Sequence, residues 1–309
     1  MIGQLTGILG PILIITLIGF ILGRSSANLQ ARTLSTLVLL VATPALIFST
    51  LTSMEVDGAA LRLMVGAALF CLTVAGVLGF IVIKLVGGVM NSVLPTLMLP
   101  NSGNMGLPLV VLTFGDAGMQ LGISYFFVVA LFQNSVGMAI ASGGFDWRAL
   151  AQQPLPYAVA IVLIVVFLDI PVPEVLAKTT QMLGGMMIPT MLILLGTSLA
   201  TLTVSDIKPA VLIAVGRLVI GVISAFIVIL TFGLTGVAAG AVFLLATMPT
   251  AIVTYVFAER FGRDAQQVAG AVVVSTLLTF LCLPGLVTSA LWISQQDAGL
   301  WRAMTGGGS

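Results

Sequence analysis

The most informative part of this sequence is a run of helix-breaking residues inside a long apolar segment, Leu99-Pro100-Asn101-Ser102-Gly103-Asn104-Met105-Gly106-Leu107-Pro108. Proline removes a backbone hydrogen bond and clashes with the preceding turn, and glycine lowers helix propensity. We therefore expect a broken helix here. In a membrane, such irregular backbone is tolerated only where it is buried in protein or lines a wet cavity, because unsatisfied peptide groups are costly in lipid.

The composition places the chain in a membrane. Of its 309 residues, 59% are hydrophobic and 7% are charged, against about 25% charged residues in soluble domains. The net charge of +1 gives no reason to expect a nucleic-acid partner, and membrane lipid is the expected environment. The absence of histidine excludes His-based zinc sites, Ser/His triads and histidine proton relays, so we expect neither a cofactor nor an enzyme. Cys71 and Cys282 lie in apolar runs and are expected to be buried thiols.

The hydrophobic pattern predicts an all-α membrane protein with ten transmembrane helices, since about 20 apolar residues cross the hydrocarbon core. We interpret the apolar N-terminus as the first span, because it has no basic region like that of a cleaved signal peptide. The predicted spans cover residues 4–22, 33–53, 59–83, 89–114, 119–141, 154–168, 175–202, 209–231, 236–258 and 265–293.

The basic residues predict the orientation of these spans. With the N-terminus outside, seven basic residues fall on the inner side: Arg24, Arg32, Lys84, Arg148, Lys208, Arg260 and Arg263. Three fall on the outer side: Arg62, Lys178 and Arg302. The positive-inside rule then predicts both termini outside, and we expect the inner (plasma) membrane of a bacterium.

Two distant segments are similar in sequence, which predicts an internal repeat. Phe114-Gly115-Asp116 and Phe261-Gly262-Arg263-Asp264 each follow a predicted fourth span and precede a fifth within their half. Five spans per half is an odd number, so the second half must be inverted relative to the first. The predicted units are a first repeat at 1–145 and a second at 146–303, with 304–309 as a native tail or an added linker. Chance recurrence of Gly and Pro is the alternative.

The ninth span breaks at the position that matches the first break, at Ala246-Thr247-Met248-Pro249-Thr250-Ala251. Paired interrupted spans are the best sequence indication of a transporter's binding site. Helix N-termini at such breaks would attract a carboxylate through free N–H groups. Asn101, Ser102, Asn104 and Thr250 are therefore candidate substrate contacts. Alternatively, their polar groups only satisfy the backbone at a kink.

At these residues the chain resembles the auxin efflux carrier family, which includes bacterial permeases and plant PIN auxin exporters and is distantly related to bile-acid sodium symporters. The resemblance covers essentially the whole chain. It rests on the following motifs: Asn101-Ser-Gly-Asn-Met-Gly-Leu-Pro108, Pro44-Ala-Leu-Ile-Phe, Ile188-Pro189 with Gly196, and Met248-Pro249-Thr250-Ala251.

The resemblance implies two inverted repeats with crossing broken helices in spans four and nine, and a transport domain that moves beside a scaffold as an elevator. It also implies a small organic anion, such as a carboxylate, as substrate, and it is compatible with a homodimer. The family's crossover residues correspond to Asn104, Pro108 and Pro249, and its polar fifth-span residues to Gln133 and Asn134. Only a short Asp146-Trp147-Arg148 stretch replaces the long cytosolic loop of plant members.

One basic residue lies deep in the membrane. Arg217 is about 12 Å into the eighth span at 1.5 Å per residue, so it should face protein, a cavity or an anion. It either attracts the substrate or serves as a structural partner of backbone carbonyls. Asp57 and Arg62 could form a pair for proton coupling. No acidic cluster predicts a sodium site, although neutral oxygens could hold Na⁺, so either H⁺ or Na⁺ remains a candidate coupling ion.

The leading hypothesis is a secondary carrier for a small organic anion. Its candidate substrate-binding residues are Asn101, Ser102, Asn104, Pro108, Gln133, Asn134, Met248, Pro249, Thr250 and Arg217, with no metal ligands. A channel or uncoupled facilitator is the alternative, since broken helices also occur in channels. An intramembrane enzyme is disfavoured, because the sequence has neither a paired Asp motif nor Gly-x-Ser-x-Gly.

Overall fold

The computed structural model describes residues 2–25, 29–52, 58–145 and 170–296, together with scattered positions between 151 and 168. The described chain is helical, and its only extended pairing is one isolated bridge. The helices of the first half are α1 (Ile2–Arg24), α2 (Ala31–Leu37), α3 (Thr43–Thr52), α4 (Gly58–Val86), α5 (Met90–Met98), α6 (Leu107–Phe132) and α7 (Met138–Ser142). Those of the second half are α8 (Glu174–Gly185), α9 (Met187–Thr201), α10 (Ile207–Phe232), α11 (Gly236–Ala246), α12 (Val253–Arg260) and α13 (Ala265–Ser294).

Three π-helical turns connect helices of the first half: π1 (Val38–Ala42), π2 (Ser102–Gly106) and π3 (Gln133–Gly137). Such turns are rare in proteins, and those that occur often lie at functional sites. Two of them, π2 and π3, carry four of the residues that the sequence predicts to bind substrate. The region around the first break is therefore the candidate binding site.

Seven helical segments of the described chain are long and apolar enough to cross a membrane: Gly3–Arg24, Ala31–Thr50, Ala59–Val86, Ser102–Ser142, Glu174–Thr201, Ile207–Phe232 and Ala265–Ser294. This confirms an integral membrane protein of helical class. The segment Ser102–Ser142 has 41 residues, which is about 60 Å of helix and twice the hydrocarbon thickness. The ten-span count and the inverted repeat stay predictions, and the sixth predicted span lies largely outside the described residues.

The matching glycines of the two similar sequence segments both have a positive φ. Gly115, inside α6, has φ 62°, and Gly262, between α12 and α13, has φ 60°. Side chains rarely adopt this left-handed conformation, whereas glycine adopts it without steric cost. At Gly115 the helical course of α6 is interrupted, so the 41-residue segment is not one continuous helix.

The chain forms two compact units, and each contains parts of both predicted halves. The first comprises 1–10, 62–145 and 202–309, and the second comprises 11–61 and 146–201. The compact units thus differ from the predicted repeats, whose division at 145/146 stays a prediction. In the second unit α1 and α9 pack closely: a Cβ on Gly196 would collide with the Thr16 carbonyl oxygen, and one on Gly19 with that of Ile193.

The first unit contains both broken helices. Its core is built by α10 against α13 and α5, and by α11 against α13 and α6. The side chains of α11 from Ala239 to Ala246 are all buried. The short half-helices α5 and α11 therefore end inside protein, where every polar group needs a partner.

Candidate functional site

The two broken helices meet through extended backbone. Pro100 and Thr250 form an isolated antiparallel bridge. The N–H of Asn101 donates to the Pro249 carbonyl oxygen at 2.7 Å, and the N–H of Ala251 donates to that of Leu99 at 3.0 Å. The peptide groups that the breaks release thus satisfy one another, as irregular backbone at membrane depth requires. We call residues 99–101 and 247–251 together the crossing.

The C-terminal ends of both half-helices are joined by Arg217. This residue lies on α10 and is 1% exposed. Its Nη1 donates to the Leu97 carbonyl oxygen at 3.2 Å, near the end of α5, and its Nη2 donates to that of Ala246 at 2.6 Å, at the end of α11. The guanidinium thereby pairs with the negative ends of two helix dipoles. Of the two roles predicted for Arg217, this contact pattern is that of a structural partner of carbonyls.

No carboxylate neutralises Arg217 within the described residues. The ionisable side chains that interact with it electrostatically are the Cys71 thiol and the Tyr125 hydroxyl, both buried. Of the five described acidic residues, Glu174, Asp206, Glu259 and Asp264 lie at or next to helix ends, and Asp116 directly follows the interruption of α6 at Gly115. Among the described residues, the charge of Arg217 is therefore met by backbone dipoles, and the net charge beside the crossing is positive.

The N-terminal side of the first break has unused hydrogen-bond donors. Asn101, 4% exposed, precedes π2, and its side chain does not cap the helix. Within the described part of the chain, the Asn101 amide nitrogen and the Ser102 hydroxyl are buried without a hydrogen-bond partner. The N–H groups of Ser102 and Gly103 likewise have no backbone acceptor there. A buried, unpaired donor costs about 1–3 kcal/mol, so this cluster is a candidate for binding an acceptor-rich ligand.

The second break uses its polar groups within the protein. The Thr250 hydroxyl donates to the Thr96 carbonyl oxygen at 2.9 Å, and the Thr250 N–H donates to the Ser275 hydroxyl at 3.1 Å. All three residues are at most 1% exposed. Met248 and Pro249 are buried as well, and Met248 lies against Gly106 of π2. This break therefore holds the crossing together.

The remaining predicted residues lie around the first break. Gln133, on π3, is half-buried and donates to the Pro100 carbonyl oxygen at 2.9 Å. Asn134 donates to the Ala130 carbonyl oxygen of its own helix at 2.9 Å. Asn104, on π2, is half-buried, and Pro108 is buried in the first turn of α6. The structure thus brings Asn101, Gln133, Pro249 and Thr250 into one network and leaves Asn104 at its edge.

An apolar groove of about 340 Å³ adjoins the first break. It is lined by residues of α4 and α5, by the end of α6 and by α7: Leu72, Thr73, Gly76, Val77, Phe80, Leu94, Met98, Phe132 and Ile140. Met98 ends α5, and Phe132 directly precedes Gln133. A groove of this size is within the range of small-molecule sites.

The family model described as membrane transport protein matches residues 6–143 and 133–287 of the chain. The chain belongs to this family, that of the auxin efflux carriers. The family assignment that the motifs predicted is therefore confirmed, and a transporter family is not an enzyme class.

Two curated relatives extend over nearly the whole chain. An uncharacterized transporter of Methanothermobacter thermautotrophicus is 27% identical over 284 residues, which cover 88% of this chain and 94% of the relative. An uncharacterized transporter of Methanocaldococcus jannaschii is 24% identical over 301 residues, with 91% and 95% covered. The names of these relatives specify transport but no substrate.

Two residues that shape the crossing are not predicted by the sequence pattern. Ser275, on α13, accepts the Thr250 N–H, and Gly221, on α10, lies against the end of α11. A Cβ on Gly221 would be 2.5 Å from the Ala246 carbonyl oxygen. For Ser275, a polar residue inside a span is only a weak signal. For Gly221 the sequence gives no signal, because a glycine in an apolar helix does not distinguish close helix approach from ordinary packing.

Proposed function

We propose that this membrane transport protein is a secondary carrier for a small organic anion of the carboxylate type, bound at the crossing. The observation that carries the proposal is the buried pair of unpartnered donors, the Asn101 amide and the Ser102 hydroxyl, at an uncapped helix N-terminus. Donors aimed into a site favour a ligand that presents acceptor oxygens. A carboxylate presents two such oxygens.

The charge at the crossing supports an anion. The guanidinium of Arg217 is paired with the carbonyl groups of Leu97 and Ala246 and with no described carboxylate. The first break contributes a helix N-terminus, which carries a positive partial charge. A carboxylate beside Asn101 would therefore lie in a positive field, even though the buried guanidinium does not contact it in this conformation.

The organic part of the substrate is supported by the apolar groove. Its lining of aliphatic and aromatic side chains offers no charge. A carbon skeleton can therefore bind in the groove, near Met98 and Phe132, while its carboxylate reaches the first break. This arrangement favours a substrate with one acidic group and an apolar body.

The elevator mechanism is our proposal for how the solute crosses. The first compact unit holds both broken helices, and it would move as one body with the bound anion. The polar bonds of Thr250, Gln133 and Arg217 lie within that unit, so movement of the unit would leave them intact. We also propose that both termini lie outside the plasma membrane, on the predicted distribution of basic residues.

A carrier is favoured over a channel by the burial of the crossing. A channel needs a continuous polar path, whereas Arg217, Thr250 and Ser275 are at most 1% exposed and are used in hydrogen bonds within the protein. Counterflow separates the two: proteoliposomes preloaded with unlabelled carboxylate should accelerate uptake of labelled substrate through a carrier only.

The substitution that tests the site is Asn104→Ala. We expect it to abolish counterflow while the protein still folds, because Asn104 is a half-buried amide at the first break and is not part of the fully buried core. Thr113→Val is a matched control, since its hydroxyl bonds to its own helix at the Leu109 carbonyl oxygen. Normal counterflow by Asn104→Ala would overturn the site assignment.

A further inference from the structure

The position of Arg217 bears on which ion drives transport. Its two terminal nitrogens contact the end of α5 through Leu97 and the end of α11 through Ala246. Carbonyl oxygens at half-helix C-terminal ends are the groups that coordinate Na⁺ in transporters with broken helices. In this protein the Arg217 guanidinium already provides a cation to those oxygens.

We propose that the Arg217 guanidinium is a built-in cation that takes the place of a coupling sodium ion at the crossing, so that transport runs without Na⁺. The inference rests on the proposed function for what is transported, and it goes beyond that function by excluding one coupling ion at this place. Arg217 is a positioning residue: it holds two half-helix ends together and does not contact the substrate.

The packing of α10 supports this inference independently. Gly216 and Gly221 flank Arg217 on the same helix. A Cβ on Gly216 would be 3.2 Å from a Leu97 methyl group, and one on Gly221 would be 2.5 Å from the Ala246 carbonyl oxygen. The backbone of α10 thus lies directly against both half-helix ends. The guanidinium is 1% exposed, so the space between the ends is already occupied.

The charge of Arg217 also disfavours a sodium ion beside it. A sodium ion beside Arg217 would need compensating carboxylates, because like charges repel strongly at low dielectric. Among the described residues no group of three or more His, Cys, Asp or Glu side chains could hold a metal ion. Beside the crossing there is therefore one cation, and the described residues offer no cluster of anionic ligands for a second.

The experiment measures carboxylate accumulation in proteoliposomes with sodium replaced by choline at constant ionic strength. We expect wild-type accumulation to change by less than about twofold. Coupling to one Na⁺ would instead change the accumulation ratio about tenfold for each tenfold change in gradient, since both correspond to the same free energy. Accumulation that follows the sodium gradient overturns the inference.

Three variants separate charge from size. Arg217→Lys keeps the cation and should retain measurable transport, whereas the neutral Arg217→Met should lose it. Added guanidinium should raise the melting temperature and the transport of Arg217→Ala, with urea, a neutral molecule of similar shape, as the control. Equal transport by the Met and Lys variants, or equal rescue by urea, would contradict a requirement for the cation.

A melting-temperature measurement tests the inference without the need for a transported substrate. If no carboxylate is transported, the proposed function fails. The inference then still stands or falls on whether purified wild-type protein is stabilised by Na⁺ over choline, because a ligand that binds the folded state raises the melting temperature. We expect no stabilisation, and a saturable sodium-specific increase would overturn the inference even if all variants fail to fold.

Discussion

The first and second breaks are both helices interrupted beside a proline in the membrane, but they leave their polar groups in different states. At the first, the Asn101 amide and the Ser102 hydroxyl are buried and unpartnered in the described chain. At the second, the Thr250 hydroxyl and N–H are bonded to Thr96 and Ser275. Similar sequence breaks therefore serve different purposes: the first offers donors to a ligand, and the second fixes the crossing.

Arg217 is common to both breaks, since its guanidinium contacts the C-terminal end of each interrupted helix. Removing one partner of a buried charged contact is strongly destabilising, although the same pair contributes little net stability. Because Arg217 contacts both breaks in the same way, the difference between them lies in the residues that follow Pro100 and Pro249.

Among the residues whose hydrogen bonds distinguish the two breaks, the largest expected effect is on transport by Asn101→Ala, at the first break. A hydrogen bond to a charged group contributes about 1.5–3 kcal/mol, so kcat/KM for uptake should fall roughly 10- to 150-fold. The melting temperature should not fall, because the amide nitrogen has no partner in the described protein. Ser124→Ala is the control, since that hydroxyl bonds to its own helix at the Gln120 carbonyl oxygen. A stability loss without a transport defect would show that Asn101 is structural.

The next effect compares the two glycines of α10. Gly221→Ala should lower the free energy of unfolding by about 1–3 kcal/mol through overpacking, because the added methyl meets the backbone at the end of α11. Gly216→Ala, facing a flexible Leu97 side chain at the end of α5, should cost less. Thermal unfolding in one detergent measures both. Equal costs would mean that α10 contacts the two half-helix ends alike.

The smallest effect is expected at the second break. Thr250→Val should lower stability by about 1 kcal/mol through loss of the bond to Thr96, and substrate affinity should be unchanged. Ser275→Ala should cost somewhat more, since it leaves the buried Thr250 N–H without its acceptor. Binding titrations beside melting curves test this. Loss of affinity in Thr250→Val with unchanged stability would give the second break a ligand role like that of the first.

Much of the fold was predictable because hydrophobic length and helix breakers act locally. The apolar runs at 4–22, 209–231 and 265–293 correspond to α1, α10 and α13 within a few residues. The break at residues 99–108 is observed as extended backbone followed by a π-helical turn. The family assignment, which rested on motifs at the same positions, is confirmed.

The compact units and the bonds of the site could not be predicted, since they depend on contacts distant in sequence. Arg217 meets Leu97 across 120 positions, and Thr250 meets Thr96 across 154. Depth in the membrane indicated that Arg217 needs partners, but not that two helix ends supply them. Ser275 was missed because a single hydroxyl in a span has no pattern that identifies its partner.

The most direct test of the anion site is to record charge movement by the reconstituted protein against a panel of mono- and dicarboxylates, with sodium and pH gradients varied independently. Wild-type protein should give saturable signals for a carboxylate that persist without sodium and disappear in Asn104→Ala. Signals elicited by neutral or cationic solutes and by no carboxylate would contradict an anion site at the crossing.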